Sequence, residues 1–410
     1  MNERWAEAST SQGGWDSKQI DRKLAWLHLL QVSVDAVEQD ESSSAMLPSR
    51  AMLPPHPDEA QVVLDVKRSF GLYKQTKEES VMKVRRQQLQ AVIQGTLRKY
   101  PSLHYYQGFH DIASVLLLTL SPTLPEEGET WPSIEDQHFV QRSLDKISLH
   151  VVRDSMSSNM DPILGQLKIV RNLVRAADLP FALAIERAFG QSQILVALPW
   201  VLTLLMHEVG ELHSAQCIMD FVLSYGPASI HYLCATLILW HKESLADMAT
   251  KQGGRPIEHL DMAQVHHTLA KIPPLDTDKS RSALLTQARQ MLHTYPLHCP
   301  AVHAHTILAS SSVLFTDSPF CSDAESLRYA ALPGSAHALD IAATPQADHD
   351  QVNEKFIPVA RVPRVLLLQR MLPFLSRRNS AHFIMATWLS LFFGGSVLSV
   401  LLAAQLASYP

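Results

Sequence analysis

The stretch "HYYQGFHD", His104 to Asp111, gathers two histidines, two tyrosines, a glutamine and an aspartate into eight residues. Such side chains serve metal centres, hydrolytic sites or plain hydrogen-bonded clusters, and their spacing helps to decide among these. His104 and His110 are six apart, which on a continuous helix sets them about 240° round the axis from each other, so one ion cannot be ligated by both from one face. His266 and His267 are adjacent and diverge as well. The four cysteines, Cys217, Cys234, Cys299 and Cys321, include no C-x-x-C pair. That suggests neither a zinc site nor a disulfide framework and fits a reducing, cytosol-facing compartment. No metal site is expected. Nor is there a G-x-S-x-G nucleophile elbow, a G-x-x-x-x-G-K-[ST] loop or a G-x-G-x-x-G cradle. Any nucleotide chemistry would therefore act on a nucleotide held by another protein. His104, His110 and Asp111 read as hydrogen-bonded residues that shape their own segment.

The elements that must position this stretch read as helices, and strand signals are scarce. Asp16 with Gln19 predicts a helix over 17–31 carrying Ile20, Leu24, Leu27 and Gln31 at helical spacing. Thr76 with Glu79 forms a capping-box pattern ahead of Leu89, Val92, Ile93 and Leu97. Val140, Leu144, Ile147 and Val151 continue the rhythm, and Asp161-Pro162 opens a helix with Ile163, Leu167, Val170 and Val174 on one face. The apolar runs Ile194 to Met206 and Ala228 to Trp240 are too short to span a bilayer and fit buried core helices. The expected class is all-α. No internal repeat of fixed period is present.

Length and composition set the remaining bounds. With 410 residues, 46% of them hydrophobic, the chain can bury a substantial core. Its net charge of −5 gives no basic excess for phosphate-driven binding, so no nucleic-acid partner is expected. The N-terminus lacks an apolar signal region. Past Pro300 the helical stripe fades into small, polar and proline residues, which predicts a flexible linker over 301–360. A basic juxtamembrane segment, 361–380, carries Arg361, Arg364, Arg370, Arg377 and Arg378. The uncharged run "FIMATWLSLFFGGSVLSVLLAA", 383–404, then predicts a transmembrane helix and a lipid-bilayer partner. The last acidic residue is Glu354, so the positive-inside rule keeps the large N-terminal part in the cytosol, as a single-pass tail anchor.

Three short patterns occur in order along the helical part: "RKLAW" with Arg22 and Trp26, "VVLDVKR" with Asp65 and Arg68, and "YYQG" with Tyr105 and Gln107. Each alone is weak, but together they resemble the R-x-x-x-W, I-x-x-D-x-x-R and Y-x-Q motifs of the TBC-domain family of Rab GTPase-activating proteins. The resemblance implies a two-lobed helical TBC domain, bounded at 16–300 with a tail at 1–15. It implies Arg68 as an arginine finger and Gln107 as the residue that orients the attacking water, both supplied in trans to a Rab-bound GTP. Asp65 would orient Arg68 and Tyr105 would hold Gln107, while Arg22 and Trp26 read as structural. No cofactor belongs to the chain itself, since GTP and Mg2+ come with the Rab. Asp220 stands at the aspartate of the family's R-x-W-D pattern, but Cys217 and Met219 occupy its arginine and tryptophan positions. "HYYQGFHDI" and the apolar tail look most like the branch anchored in the endoplasmic reticulum, acting on the Rab of ER-to-Golgi traffic. The competing expectation is a membrane-tethered Rab-binding scaffold without catalysis.

Overall fold

A computed structural model describes residues 2–32, 50–70, 78–189, 194–254, 256–309 and 312–316. The chain divides into units Met1–Ala347 and Asp348–Pro410, and every described residue lies in the first. The described residues are helices and turns without a strand. In chain order the helices are α1 (Asn2–Ser9), α2 (Gly14–Ser17), α3 (Arg22–Leu29), α4 (Glu59–Arg68), α5 (Glu79–Lys99), α6 (Phe109–Leu120), α7 (Ile134–His150), α8 (Asp161–Ala177) and α9 (Leu179–Phe189). They continue as α10 (Leu198–Thr203), α11 (Leu212–Tyr225), α12 (Ser229–Trp240), α13 (Lys242–Lys251), α14 (Met262–Ala270), α15 (Asp278–Thr294), α16 (Ala304–Ile307) and α17 (Val313–Thr316).

Packing follows the apolar stripes. Leu89, Val92, Ile93 and Leu97 of α5, Val140, Leu144 and Ile147 of α7, and Ile163, Leu167, Val170 and Val174 of α8 are all buried. α4, α5, α6 and α7 pack together as one group, and α8, α9, α10, α12 and α15 as a second. α6 also meets α3, α10 and α11, so the helix that follows the YYQG segment joins the two groups. Pro162 sits in the first turn of α8, where its missing N–H costs nothing.

Several boundaries differ from the sequence expectation. The helix predicted over 17–31 is split: Gln19 adopts φ 53°, and Asp21 is the N-cap, accepting from the Leu24 N–H at 3.0 Å. Asp16 is instead drawn to Arg22. Residues 1–15 are not a tail in what is described of them. α1 packs on α11, and fully buried Trp15 donates its indole N–H to the Trp5 carbonyl at 2.8 Å. The run Ile194 to Met206 does not form one helix: a 3-10 turn, Leu195–Ala197, leads into the short α10, and Leu204 and Leu205 turn left-handed at φ 51° and 66°.

At the other end the folded body continues past Pro300. Val302, Ile307, Leu308 and Val313 are buried. Asn172 donates to the Val302 carbonyl at 2.9 Å, and buried Asp154 accepts from the Ser312 hydroxyl at 2.6 Å and the Val313 N–H at 2.9 Å. These are single apolar residues and polar bonds to partners far away in the chain, without a sustained helical period, which is why a linker was the natural expectation. The rest of that linker, the 361–380 segment and the 383–404 run lie outside the described residues. No helix among the described residues is long and apolar enough to cross a membrane.

One buried charge cluster ties α5 to α7. Asp145 accepts from both Arg50 Nη atoms at 2.8 and 2.7 Å, from Lys99 Nζ at 3.0 Å and from the Thr96 hydroxyl at 3.1 Å. Burial alone would push this carboxyl up, but the Arg50 and Lys99 charges outweigh it and hold the pKa well below the usual carboxylate range. Asp145→Asn removes the shared counter-charge and is expected to cost about 3 kcal/mol, because the cations lose their partner. A depressed folded pKa means stability that is present above the unfolded value of about 3.9 and lost as pH falls below it. Urea unfolding between pH 7 and 3 should therefore show a shallower acid loss in the variant than in the parent.

Candidate functional site

Asp65 organises the site. It lies fully buried on α4, one turn before Arg68. Its Oδ1 accepts from Arg68 Nη2 and from Gln61 Nε2, the latter at 3.1 Å. Its Oδ2 accepts from the Tyr105 hydroxyl at 2.9 Å. One carboxylate thus holds a guanidinium from its own helix and a phenol forty residues further along the chain. The Arg68 side chain is otherwise open, at 51% exposure, at the C-terminal end of α4. Lys67 is exposed as well, but the next residue, Ser69, is buried.

The segment carrying Gln107 is clamped from several directions. The Tyr105 N–H donates to Asp58 Oδ2 at 2.9 Å, and the Tyr106 hydroxyl donates to the Leu202 carbonyl on α10 at 2.9 Å. His110 Nδ1 lies 3.0 Å from the Tyr105 hydroxyl and accepts from the Gly108 N–H at 3.4 Å. Burial, with Asp65 alongside, raises the Tyr105 phenol well above its ordinary pKa, so it stays a donor. Gln107 itself is only 9% exposed, and its Oε1 has no hydrogen-bond partner among the described residues. Leaving such an acceptor unmet costs about 1–3 kcal/mol, and unmet buried groups of this kind occur where function needs them.

Gly108 caps α6 at φ 105°, and a Cβ there would meet Thr203 Cγ2 at 2.6 Å. Gly108→Ala should lower the stability by about 1–3 kcal/mol through backbone strain and overpacking. A fall in the thermal midpoint checks it; an unchanged midpoint would mean the loop is not seated on α10.

The structure brings four of the sequence-predicted residues, Arg68, Asp65, Tyr105 and Gln107, into one continuous unit. Arg22 and Trp26 are elsewhere and converge on Asp220. Arg22 Nε lies 3.1 and 3.0 Å from its two oxygens, and the Trp26 indole N–H donates to Oδ1 at 2.7 Å. Burial opposes the Arg22 charge, but Asp220 and Asp16 outweigh it and raise the guanidinium's pKa. This is a strut joining α3 to α11. It also replaces the cation–π contact that the i, i+4 spacing of Arg22 and Trp26 allows, and it accounts for the aspartate in the sequence pattern.

Sequence reasoning missed His207. Its Nδ1 lies 3.0 Å from Asp111 Oδ2, and that bond raises the imidazole's pKa while the nearby Arg68 charge opposes it. Only the left-handed turn at Leu204 and Leu205 brings it back towards α6, and no local pattern announces that turn. His104 and His110 serve different partners, Asp58 and Tyr105. Among the described residues, the grouping suited to a metal is a separate one, Asp16 with His213 and Cys217.

Comparison with known proteins identifies the family and the fold. The chain is 28% identical over 254 residues to "GTPase-activating protein gyp10" of Schizosaccharomyces pombe, a match covering 62% of this chain and 59% of that protein. It is 27% identical over 289 residues to "TBC1 domain family member 20" of Bos taurus, covering 70% and 62%. The chain thus spans about three fifths of the length of these curated relatives. The crystal structure of the Ypt/Rab-GAP domain of Gyp1p shares the fold, with a TM-score of 0.52 at 17% identity over 72% of this chain and 93% of that one. The Rab-GTPase-TBC domain model matches residues 20–246, more than half of the chain, and the chain belongs to that family.

Proposed function

We propose that this protein is a GTPase activator that inserts Arg68 and Gln107 beside the GTP of a Rab-family partner. The observation that carries the reading is the single buried carboxylate of Asp65, which fixes a half-exposed arginine and, through Tyr105, the segment bearing a glutamine whose buried Oε1 has no partner among the described residues. In phosphoryl transfer charge spreads over the transferred group, and a positioned guanidinium stabilises that state more than the ground state. The amide of Gln107 accepts from the attacking water and donates to a phosphate oxygen. GTP and Mg2+ arrive with the partner, in keeping with a chain that has no phosphate cradle of its own.

The full chain in detergent, assayed against a panel of Rab proteins, should accelerate single-turnover GTP loss by at least one of them, and the Rab of ER-to-Golgi traffic is the first candidate. Saturable binding without acceleration across the panel would favour the scaffold reading. We further place the protein on the endoplasmic reticulum or an early secretory membrane, with its TBC domain cytosolic and 383–404 in the bilayer, on the strength of the apolar run and its basic flank. Deleting 381–410 should move the protein from the membrane fraction to the soluble one with activity in solution unchanged. Retention of the shortened chain after carbonate washing would count against this placement.

A further inference from the structure

Three side chains outside the Arg68–Gln107 unit converge. His213 and Cys217 stand one turn apart on α11, and Asp16 meets them from α2. Asp16 Oδ2 lies 3.4 Å from His213 Nδ1, and Cys217 Sγ lies 3.8 Å from His213 Nε2. One donor atom from each residue falls within 4.8 Å of the other two. We propose that Asp16, His213 and Cys217 bind a zinc ion, with water completing its coordination.

The donor set selects the metal. Thiolate and imidazole suit zinc, whereas magnesium and calcium demand oxygen ligands. Zinc bonds of about 2.0–2.3 Å require donor atoms closer together than the widest separation here, a shift that side-chain rotation of a half-exposed Asp16 and His213 supplies. Two donors at i and i+4 on one helix share a face. The third is already supported from behind: Arg22 holds the Asp16 carboxylate at 3.2 and 3.0 Å and is itself anchored on buried Asp220. Hydrogen bonding of a ligating carboxylate in this way orients it and is typical of metal sites.

The protonation states suit a divalent ion. Burial, with Arg281 and Arg22 nearby, lowers the His213 pKa, so the imidazole keeps a lone pair for the metal at neutral pH. Burial pushes the Cys217 thiol up to about 12, so the ion must displace its proton: Zn2+ and the thiol give a zinc thiolate and H+. Cys217 stands at the arginine position of the family's R-x-W-D pattern, so the site depends on a departure from that pattern. The sequence expectation of no metal rested on motif spacing, which does not place Asp16 beside α11. The proposal stands independently of the Rab reading.

The test uses the full chain in detergent, stripped with a chelator and titrated with Co2+ and then Zn2+. Co2+ should produce a thiolate charge-transfer band that one equivalent of Zn2+ abolishes. Cys217→Ser should remove the band, and His213→Gln, at a position 42% exposed and outside the core, should weaken binding at least about tenfold. Absence of the band in the parent protein, its persistence in Cys217→Ser, or unchanged Co2+ affinity in folded His213→Gln would each overturn the proposal.

Discussion

Arg68→Ala should slow Rab-stimulated GTP hydrolysis by about 10³-fold or more while leaving the fold and Rab binding largely intact, since arginine fingers contribute about 10³ to 10⁵ in rate. The geometry makes the loss specific. Arg68 gives one Nη to Asp65 and keeps the rest of its fork exposed at the end of α4, so truncation removes a solvent-facing group and opens no core cavity. Arg68→Lys should recover little, because an ammonium lacks the planar fork that donates to two oxygens at once. Lys67→Ala is the matched control: its neighbouring cation is exposed too, but only Arg68 is tethered to the carboxylate that also holds Tyr105. Single-turnover assays at saturating activator separate the chemical step from binding. Full activity in Arg68→Ala would refute the finger assignment.

What the sequence made legible was the part of the molecule governed by period and by short motifs. The stripes of α5, α7 and α8 were readable because each buries one continuous apolar face. The break between α2 and α3 was not, because the sequence pattern singled out Asp16 as the cap although Asp21 carries the same cap-forming carboxylate. The choice is made by Arg22, which claims Asp16 and leaves Asp21 to the Leu24 N–H. The run around Pro199 likewise reads as one buried helix, since hydrophobicity carries no sign of the left-handed backbone at Leu204 and Leu205.

At the site, residue types were legible and connections were not. Asp65 and Arg68 share a face by spacing alone, but the bond from Tyr105 to the same carboxylate spans forty residues and is purely tertiary. The Arg22–Asp220 strut joins residues 198 apart and could be suspected only from a motif. His207 had no motif at all. The same holds for the proposed zinc site: His213 and Cys217 at i, i+4 are visible in the sequence, and the third ligand is not.

Gln107 permits the sharper experiment, because activity and stability should move in opposite directions. Its Oε1 is buried without a partner among the described residues, a cost of about 1–3 kcal/mol that the free protein carries. Engagement of a GTP-bound partner would relieve that cost if the amide turns to meet the attacking water and a phosphate oxygen. Gln107→Leu keeps the volume and removes the orphaned acceptor. Its thermal midpoint should therefore equal or exceed the parent's, while stimulated hydrolysis falls by about 10²-fold or more, the scale seen when one positioned transition-state donor is lost. A purely structural glutamine would behave otherwise, with the midpoint dropping and activity following in proportion to folded protein. Gln107→Glu should also be inactive, since a carboxylate cannot donate to phosphate and sets a negative charge against it. Activity close to the parent's in either folded variant would remove Gln107 from the chemistry and leave Arg68 acting with the partner's own glutamine.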